Sequence, residues 1–201
     1  MNSRLRISVL VSGGGTNLQA IIDGIETGEI QDAEIVQVIS SSQKAYALER
    51  ASRHGIKYRV IDKNAYPEQK ERNKALLDAL QDEKTDLVVL AGYMSILDES
   101  VVKAYKNRII NIHPSLIPKY CGPGYYGMRV HRAVIDAGEK ESGATVHYVD
   151  EGVDTGPIIM QKKAPVLEGD TPEALAARVL EIEHTILCES IKKIVKSREN
   201  R

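Results

Sequence analysis

The sequence predicts an α/β protein: a Rossmann-like, doubly wound, mostly parallel sheet that ends in antiparallel strands and a long C-terminal helix. Three observations carry this. Short apolar, β-branched runs such as Ile7-Ser8-Val9-Leu10-Val11 and Leu87-Val88-Val89-Leu90-Ala91 recur along the chain, and strands without polar alternation belong to sheets covered on both faces. Helical patterns separate these runs, which implies right-handed crossovers between parallel strands. A run of three glycines stands between the first apolar run and the first helical pattern.

The elements follow in order. After the strand at Ile7–Val11 comes the turn Ser12-Gly13-Gly14-Gly15-Thr16-Asn17. Leu18 to Thr27 reads as a helix, because Leu18, Ile21, Ile22 and Ile25 share one face and Gly28 suits a C′ position. Glu34 to Ser40 is the second strand, Ala45 to His54 a helix stopped by Gly55, and Lys57 to Ile61 a short third strand. Pro67 suits the first turn of a helix running to about Gln81. Leu87 to Ala91 is a fourth strand, Asp98 to Tyr105 a short helix with Asp98 as N-cap, and Arg108 to His113 a fifth strand. The last third changes style. Ala144 to Val149 and Pro157 to Val166 read as a hairpin or reversed edge strand, and Thr171-Pro172-Glu173 opens a helix to about Lys196.

The 201 residues suit one domain, and a 42% hydrophobic content is too high for a disordered chain. With no Trp or Phe, aliphatic side chains must fill the core. A net charge of −1 offers no basic surface for nucleic acid or anionic lipid. The basic residues around Lys192, Lys193, Lys196 and Arg198 sit where a helix C-terminus favours them. Cys121 and Cys188 make no paired pattern, and no apolar run is long enough for a signal peptide or membrane span. A cytoplasmic enzyme acting on small molecules is therefore expected, with neither nucleic acid nor membrane as partner.

Three segments carry chemistry. Glycines in the Ser12–Asn17 turn let backbone approach a ligand closely, and amides opening a helix favour an anion. Thr16 and Asn17 add side-chain donors. Leu18 stands where a dinucleotide fingerprint needs its third glycine, and no Gly-Lys-Ser/Thr follows, so a single phosphate monoester is the expected ligand. A purely structural strand-to-helix turn remains the alternative. In Asn111-Ile112-His113-Pro114, Asn111 and His113 point to one face at the carboxyl end of a strand, where open α/β sheets bind ligands. An amide beside an imidazole suits a developing oxyanion, although the pair could simply stabilise a strand end. The acidic loop Asp150-Glu151-Gly152-Val153-Asp154-Thr155-Gly156-Pro157 lacks calcium-loop spacing. A carboxylate from it, brought to His113, would orient the ring and favour its charged form, whereas a solvated turn would do neither. Weaker candidates are a metal site from His113, His147 and Asp154, and Cys121 as a nucleophile. His54 and His131 read as surface or packing residues.

On these residues the chain resembles the glycinamide ribonucleotide formyltransferases of purine biosynthesis, over nearly its whole length. The resemblance rests on the Ser12–Asn17 turn leading into Leu18-Gln19-Ala20-Ile21 and on Leu90-Ala91-Gly92-Tyr93-Met94. It rests further on Asn111-Ile112-His113-Pro114-Ser115-Leu116-Ile117-Pro118 and on Gly143-Ala144-Thr145-Val146-His147 followed by Asp154-Thr155-Gly156-Pro157. It implies that 10-formyltetrahydrofolate, as co-substrate, donates a formyl group to the amine of glycinamide ribonucleotide, without a metal. By position, Asn111 and His113 would stabilise the oxyanion, with His113 as proton donor, and Asp154 would keep His113 charged and help move the amine's proton. Gly15, Thr16 and Asn17 would hold the phosphate, and Glu183 the ribose side. Met94, Ser95, Ile96 and Leu97, with Asn111 and the loop from Asp150 to Asp154, would line and close the folate pocket. One domain, 1–201, would then divide into a phosphate-binding half (about 1–110) and a folate-binding, catalytic half (about 111–201), as a monomer or homodimer.

Two features depart from the family pattern. Ser95 stands where many relatives carry Arg, and no basic residue near Gln69 and Lys70 matches one that helps hold the folate tail. Tyr120 to Val130 is longer than in the shortest relatives and carries Gly122, Gly124 and Gly127, so a lid or substrate loop is expected there. A methionyl-tRNA formyltransferase would add a C-terminal domain and a basic surface, and a formyltetrahydrofolate hydrolase would carry His at Pro114. A non-catalytic sugar-phosphate module would need only the turn. A dinucleotide oxidoreductase would need an acidic residue in place of Ser40-Ser41-Ser42.

Overall fold

The computed structural model describes residues 4–199; the outermost residues of the expected 1–201 domain lie outside the described residues. The elements are β1 (Leu5–Val11), α1 (Thr16–Glu26), β2 (Ala33–Ser40), α2 (Tyr46–Arg53), β3 (Tyr58–Val60), α3 (Gln69–Asp82) and β4 (Leu87–Leu90). They continue as α4 (Glu99–Ala104), β5 (Ile109–His113), α5 (Met128–Asp136), β6 (Glu141–Tyr148), β7 (Ile158–Pro165) and α6 (Pro172–Glu199). One seven-stranded sheet has the order β3-β2-β1-β4-β5-β6-β7. The strands from β3 to β5 pair in parallel, and β6 and β7 are antiparallel. The expected doubly wound sheet with its antiparallel end is thus observed.

Side-chain alternation splits the core into two layers. Ile7, Val9 and Val11 of β1 face Leu18, Ile21, Leu175, Val179 and Ile186 of α1 and α6. Leu10, Ile39, Val88 and Leu90 face Leu76, Leu80 and Val101 of α3 and α4. Ser8, the polar interruption in the first run, is fully buried on this second side. It is satisfied by Thr85 Oγ1 at 2.7 Å and by Gln37 Nε2, which donates to it at 3.1 Å and to the Ala79 carbonyl at 2.8 Å. A buried hydroxyl is tolerated once its hydrogen bonds are made.

The helix ends follow local chemistry. Asp98 caps α4, its carboxylate accepting from the amides of Ser100 and Val101 at 3.1 and 3.2 Å. Thr171 Oγ1 accepts from the Ala174 amide at 3.2 Å at the head of α6. Pro67, however, lies outside α3, whose N-cap is the extended residue Glu68. Arg72 Nη1 donates to the carbonyls of Tyr66 and Pro67 at 2.7 and 2.6 Å, and this holds the segment out of the helix. Helix α5 was not anticipated. Val130 and Val134, four apart, are its buried face, but Gly127 at its head offers no capping side chain, so the usual start signal is missing.

The chain leaves β1 toward β2 and β3 on one side and reaches β4 and β5 on the other. This reversal opens a crevice at the carboxyl ends of β1 and β4, the place where such sheets bind ligands.

Candidate active site

Every segment singled out above ends at that crevice. The glycine turn leaves β1, Met94–Leu97 follows β4, and Asn111 and His113 finish β5. Ser12 Oγ ties two of these segments together, accepting from the Met94 amide at 2.8 Å and lying 2.6 Å from Ser41 Oγ.

Within the turn, Gly15 is the N-cap of α1 with φ 73°, and a Cβ there would lie 2.6 Å from Ala47 Cβ. Glycine is therefore demanded by the protein itself at Gly15. Gly13 and Gly14 are different: an added Cβ would meet nothing within 4 Å, so this open side of the turn is free for another molecule. Thr16 and Asn17 are the first residues of α1, which has no side-chain cap on its leading amides. The side chain of Asn17 departs from the sequence reading. It is buried, and its Nδ2 donates to Glu183 Oε2 at 2.7 Å rather than standing as a free donor in the turn. Only its backbone amide remains to serve an anion. Burial drives the Glu183 carboxyl up to about 7, against the lowering effect of the Asn17 hydrogen bond.

The Asn–His–Asp convergence is present. His113 Nδ1 lies 3.6 Å from Asp154 Oδ2, and Asn111 Nδ2 lies 3.4 Å from Asp154 Oδ1. Burial opposes ionisation of Asp154, but a contact from His147, the Gly122 amide and the two nearby imidazoles outweigh it, leaving the carboxyl below the usual carboxylate range. Asp154 sits at φ 58°, and Asp150 ties its loop together by accepting from the Gly152 amide at 3.1 Å and the Thr155 hydroxyl at 2.6 Å. A non-glycine residue held at positive φ is a cost that the surroundings must offset, and such positions gather at functional sites.

Two members of the cluster escaped sequence reasoning in this role. His147, considered only as a metal ligand, pairs directly opposite Asn111 in the antiparallel β5–β6 register. Its Nδ1 donates to the Tyr148 carbonyl at 2.8 Å, and its Nε2 lies 3.2 Å from Asn111 Nδ2 and 3.5 Å from Asp154 Oδ1. The second is the backbone of the 120–122 segment. His113 Nε2 donates to the Tyr120 carbonyl at 2.9 Å, and the Gly122 amide donates to Asp154 Oδ2 at 2.9 Å. No residue type signals a backbone contact of this kind, and the β5–β6 register is a tertiary fact.

The weaker candidates resolve physically. Burial and the Asp154 charge both push the Cys121 thiol up, away from thiolate chemistry. His131 is a buried packing residue, lowered to about 4 by burial and by the His113 charge. His54 pairs with Glu26 at 2.7 Å near the surface. Among the described residues, no group of three or more His, Cys, Asp or Glu side chains is placed to hold a metal ion.

Met94 and Ile96 are exposed at 58% and 73%, and Val153 of the acidic loop at 46%. Such apolar exposure at a crevice is available to a flat heterocycle. Leu97 is half-buried and packs against the second core layer instead. Beside Ser95 a cavity of about 290 Å³ is lined by Lys44, Lys63 and Arg72 as well as Asp62. Asp62 is satisfied locally by the amides of Asn64 and Ala65 at 3.0 and 2.9 Å.

This fold and this matched architecture define one class: the chain belongs to the formyl transferase family, which it matches over residues 5–191. More particularly, it is similar to proteins named phosphoribosylglycinamide formyltransferase. It is 40% identical over 182 residues to the one from Escherichia coli, covering 90% of this chain and 83% of that one. It is 42% identical over 193 residues to the one from Haemophilus influenzae, covering 96% and 88%. The crystal structure of glycinamide ribonucleotide transformylase 1 from Symbiobacterium toebii superposes with a TM-score of 0.92 at 45% identity, over 98% of this chain and 91% of that one. The chain spans only 13% of a trifunctional purine biosynthetic protein from Drosophila pseudoobscura and 62% of a chloroplastic relative from Vigna unguiculata. No helix among the described residues is long and apolar enough to cross a membrane.

Proposed function

We propose that this protein transfers the formyl group of 10-formyltetrahydrofolate to the amine of N1-(5-phospho-D-ribosyl)glycinamide, giving formylglycinamide ribonucleotide and tetrahydrofolate. The observation that carries the proposal is the meeting of Asn111, His113 and Asp154 at the crevice that the glycine turn also borders. The proteins named above support the choice of substrates.

The chemistry follows from the groups present. The substrate amine attacks the formyl carbon and forms a C–N bond while the carbonyl oxygen becomes an oxyanion; collapse of this intermediate breaks the bond to N10, which leaves with tetrahydrofolate. The Asn111 amide and the His113 imidazole are N–H donors able to stabilise the oxyanion. One amine proton must leave and the N10 of tetrahydrofolate must gain one. Asp154, held ionised between two imidazoles, suits that transfer through water. In the present arrangement both donors rest on protein acceptors, His113 on Tyr120 and Asn111 on Asp154. Catalysis therefore includes exchanging those acceptors for the oxyanion. The contacts of Tyr120 and Gly122 with the cluster support a lid role for the 120–130 segment.

The ribonucleotide phosphate would sit on the amides of Gly15, Thr16 and Asn17, with Glu183 toward the ribose. The pterin would lie against Met94–Leu97, Asn111 and the 150–154 loop. The cations Arg72 and Lys63 beside Ser95 would face the carboxylates of the folate tail, which answers the missing base at Ser95. The test is formyl transfer from a 10-formylfolate analogue, followed by absorbance with and without glycinamide ribonucleotide. Deformylation that ignores the amine would refute the proposal.

A further inference from the structure

We infer that Arg50, outside the catalytic cluster, is a positioning residue that aims the amides of the glycine turn at the substrate's phosphate. The inference rests on the reading of that turn as the phosphate site. Helix α2 grips the turn at three successive residues. The Ala47 amide donates to the Gly13 carbonyl at 3.1 Å. Arg50 Nε donates to the Gly14 carbonyl at 2.8 Å. Gly15 lies so close to Ala47 that a Cβ would approach its Cα to 2.9 Å.

These contacts set the direction of the amides. In a planar trans peptide, the carbonyl of one residue and the N–H of the next point opposite ways. With the Gly13 and Gly14 carbonyls drawn toward α2, the N–H groups of Gly14 and Gly15 turn away from it, toward the side where Gly13 and Gly14 meet nothing within 4 Å. They adjoin the leading amides of α1, which follow a left-handed Gly15 and carry no side-chain cap, and successive backbone donors of this kind bind anions. A loose triple-glycine segment would have to order itself at each binding event, and preorganisation removes that cost.

Arg50 is equipped for the task. Its Nη1 donates to Gln19 Oε1 at 3.0 Å on α1, and its guanidinium lies 5.0 Å from the centre of the Tyr46 ring. The side chain thus fixes turn and helix α1 to each other. A lysine has a single nitrogen in place of the planar fork whose Nε and Nη1 make the Gly14 and Gln19 contacts separately.

The experiment compares Arg50→Lys and Arg50→Met with the wild type in steady-state kinetics and in calorimetric binding of ribose 5-phosphate and glycinamide riboside, which lacks the phosphate. Both variants should raise the ribonucleotide KM and the ribose 5-phosphate Kd by roughly 10-fold or more, since one charge-assisted hydrogen bond and its ordering are lost. The kcat, the folate KM and the riboside Kd should stay within about 2-fold. Equal weakening of phosphorylated and unphosphorylated ligands would mean that Arg50 only supports the fold, and unchanged ribose 5-phosphate binding would also overturn the inference. A wild-type protein that binds no ribose 5-phosphate would instead bring down the reading of the turn itself, and the inference with it.

Discussion

Replacing Glu183 with Gln tests whether the buried Glu183–Asn17 contact is built at a cost to stability. The carboxyl is buried against Asn17, and its titration is displaced from 4.5 to about 7. One unit corresponds to about 1.4 kcal/mol, so ionising Glu183 in the folded protein costs on the order of 3 kcal/mol. The sign follows from proton linkage. Between 4.5 and about 7 the folded state holds a proton that the unfolded state has released, so stability falls as pH rises through this window and levels off above it. A neutral glutamine keeps an acceptor for Asn17 Nδ2. It also brings an N–H donor, while Asn17 Oδ1 is buried with no hydrogen-bond partner among the described residues. Glu183→Gln should therefore be more stable than the wild type by ~2–3 kcal/mol at pH 8, a Tm rise of roughly 4–12 °C for a domain of this size. At pH 4.5 the two proteins should melt within about 2 °C of each other, because Glu183 is then neutral in the folded state and only about half ionised in the unfolded one. Melting curves by circular dichroism at the two pH values decide the matter. An equal difference at both, or a less stable variant at pH 8, refutes the reasoning. The same variant should raise the ribonucleotide KM, because a carboxylate accepts from hydroxyl groups more strongly than an amide.

Other outcomes follow from the same geometry. His113→Ala and Asp154→Asn should each lower turnover by roughly 10²-fold or more with unchanged circular dichroism, and near-normal turnover in either removes the role assigned to it. His147→Leu should lower kcat by about 10-fold with little change in either KM, since Asn111 and Asp154 lose a shared partner while the ligand contacts stay; stopped-flow turnover with saturating substrates measures it. Arg72→Gln should raise the KM for the formylfolate several-fold without changing the ribonucleotide KM, and equal KM values would disconnect the cavity beside Ser95 from the folate tail.

Much of this molecule was readable before its fold was known, where the signal is local. Apolar runs located the strands, and Asp98 and Thr171 marked helix starts through their own capping bonds. Asn111 and His113 could be placed on one face because strand periodicity needs no partner. What escaped is set by tertiary contact. Pro67 fell outside its helix because Arg72, a turn later, captures two carbonyls. Helix α5 begins on a glycine with no capping side chain. Asn17 looked like a free donor because nothing near it in sequence reveals Glu183, 166 residues away.

The Asn111–His113–Asp154 cluster itself joins both kinds of information, and this explains its construction. The paired β5 side chains are fixed by a rigid strand, whereas Asp154 arrives on a loop and must be held there. Its position depends on Gly122 and His147, which come from two separate segments. Gly156 supports the same loop, because a Cβ there would lie 1.9 Å from the Tyr148 carbonyl oxygen. The Tyr148 carbonyl in turn accepts from His147 Nδ1 and so fixes the ring whose Nε2 lies against Asn111 Nδ2 and Asp154 Oδ1. One backbone oxygen thus couples the packing of the acidic loop to the orientation of the amide. A substitution at Gly156 would reach Asn111 without touching the substrate.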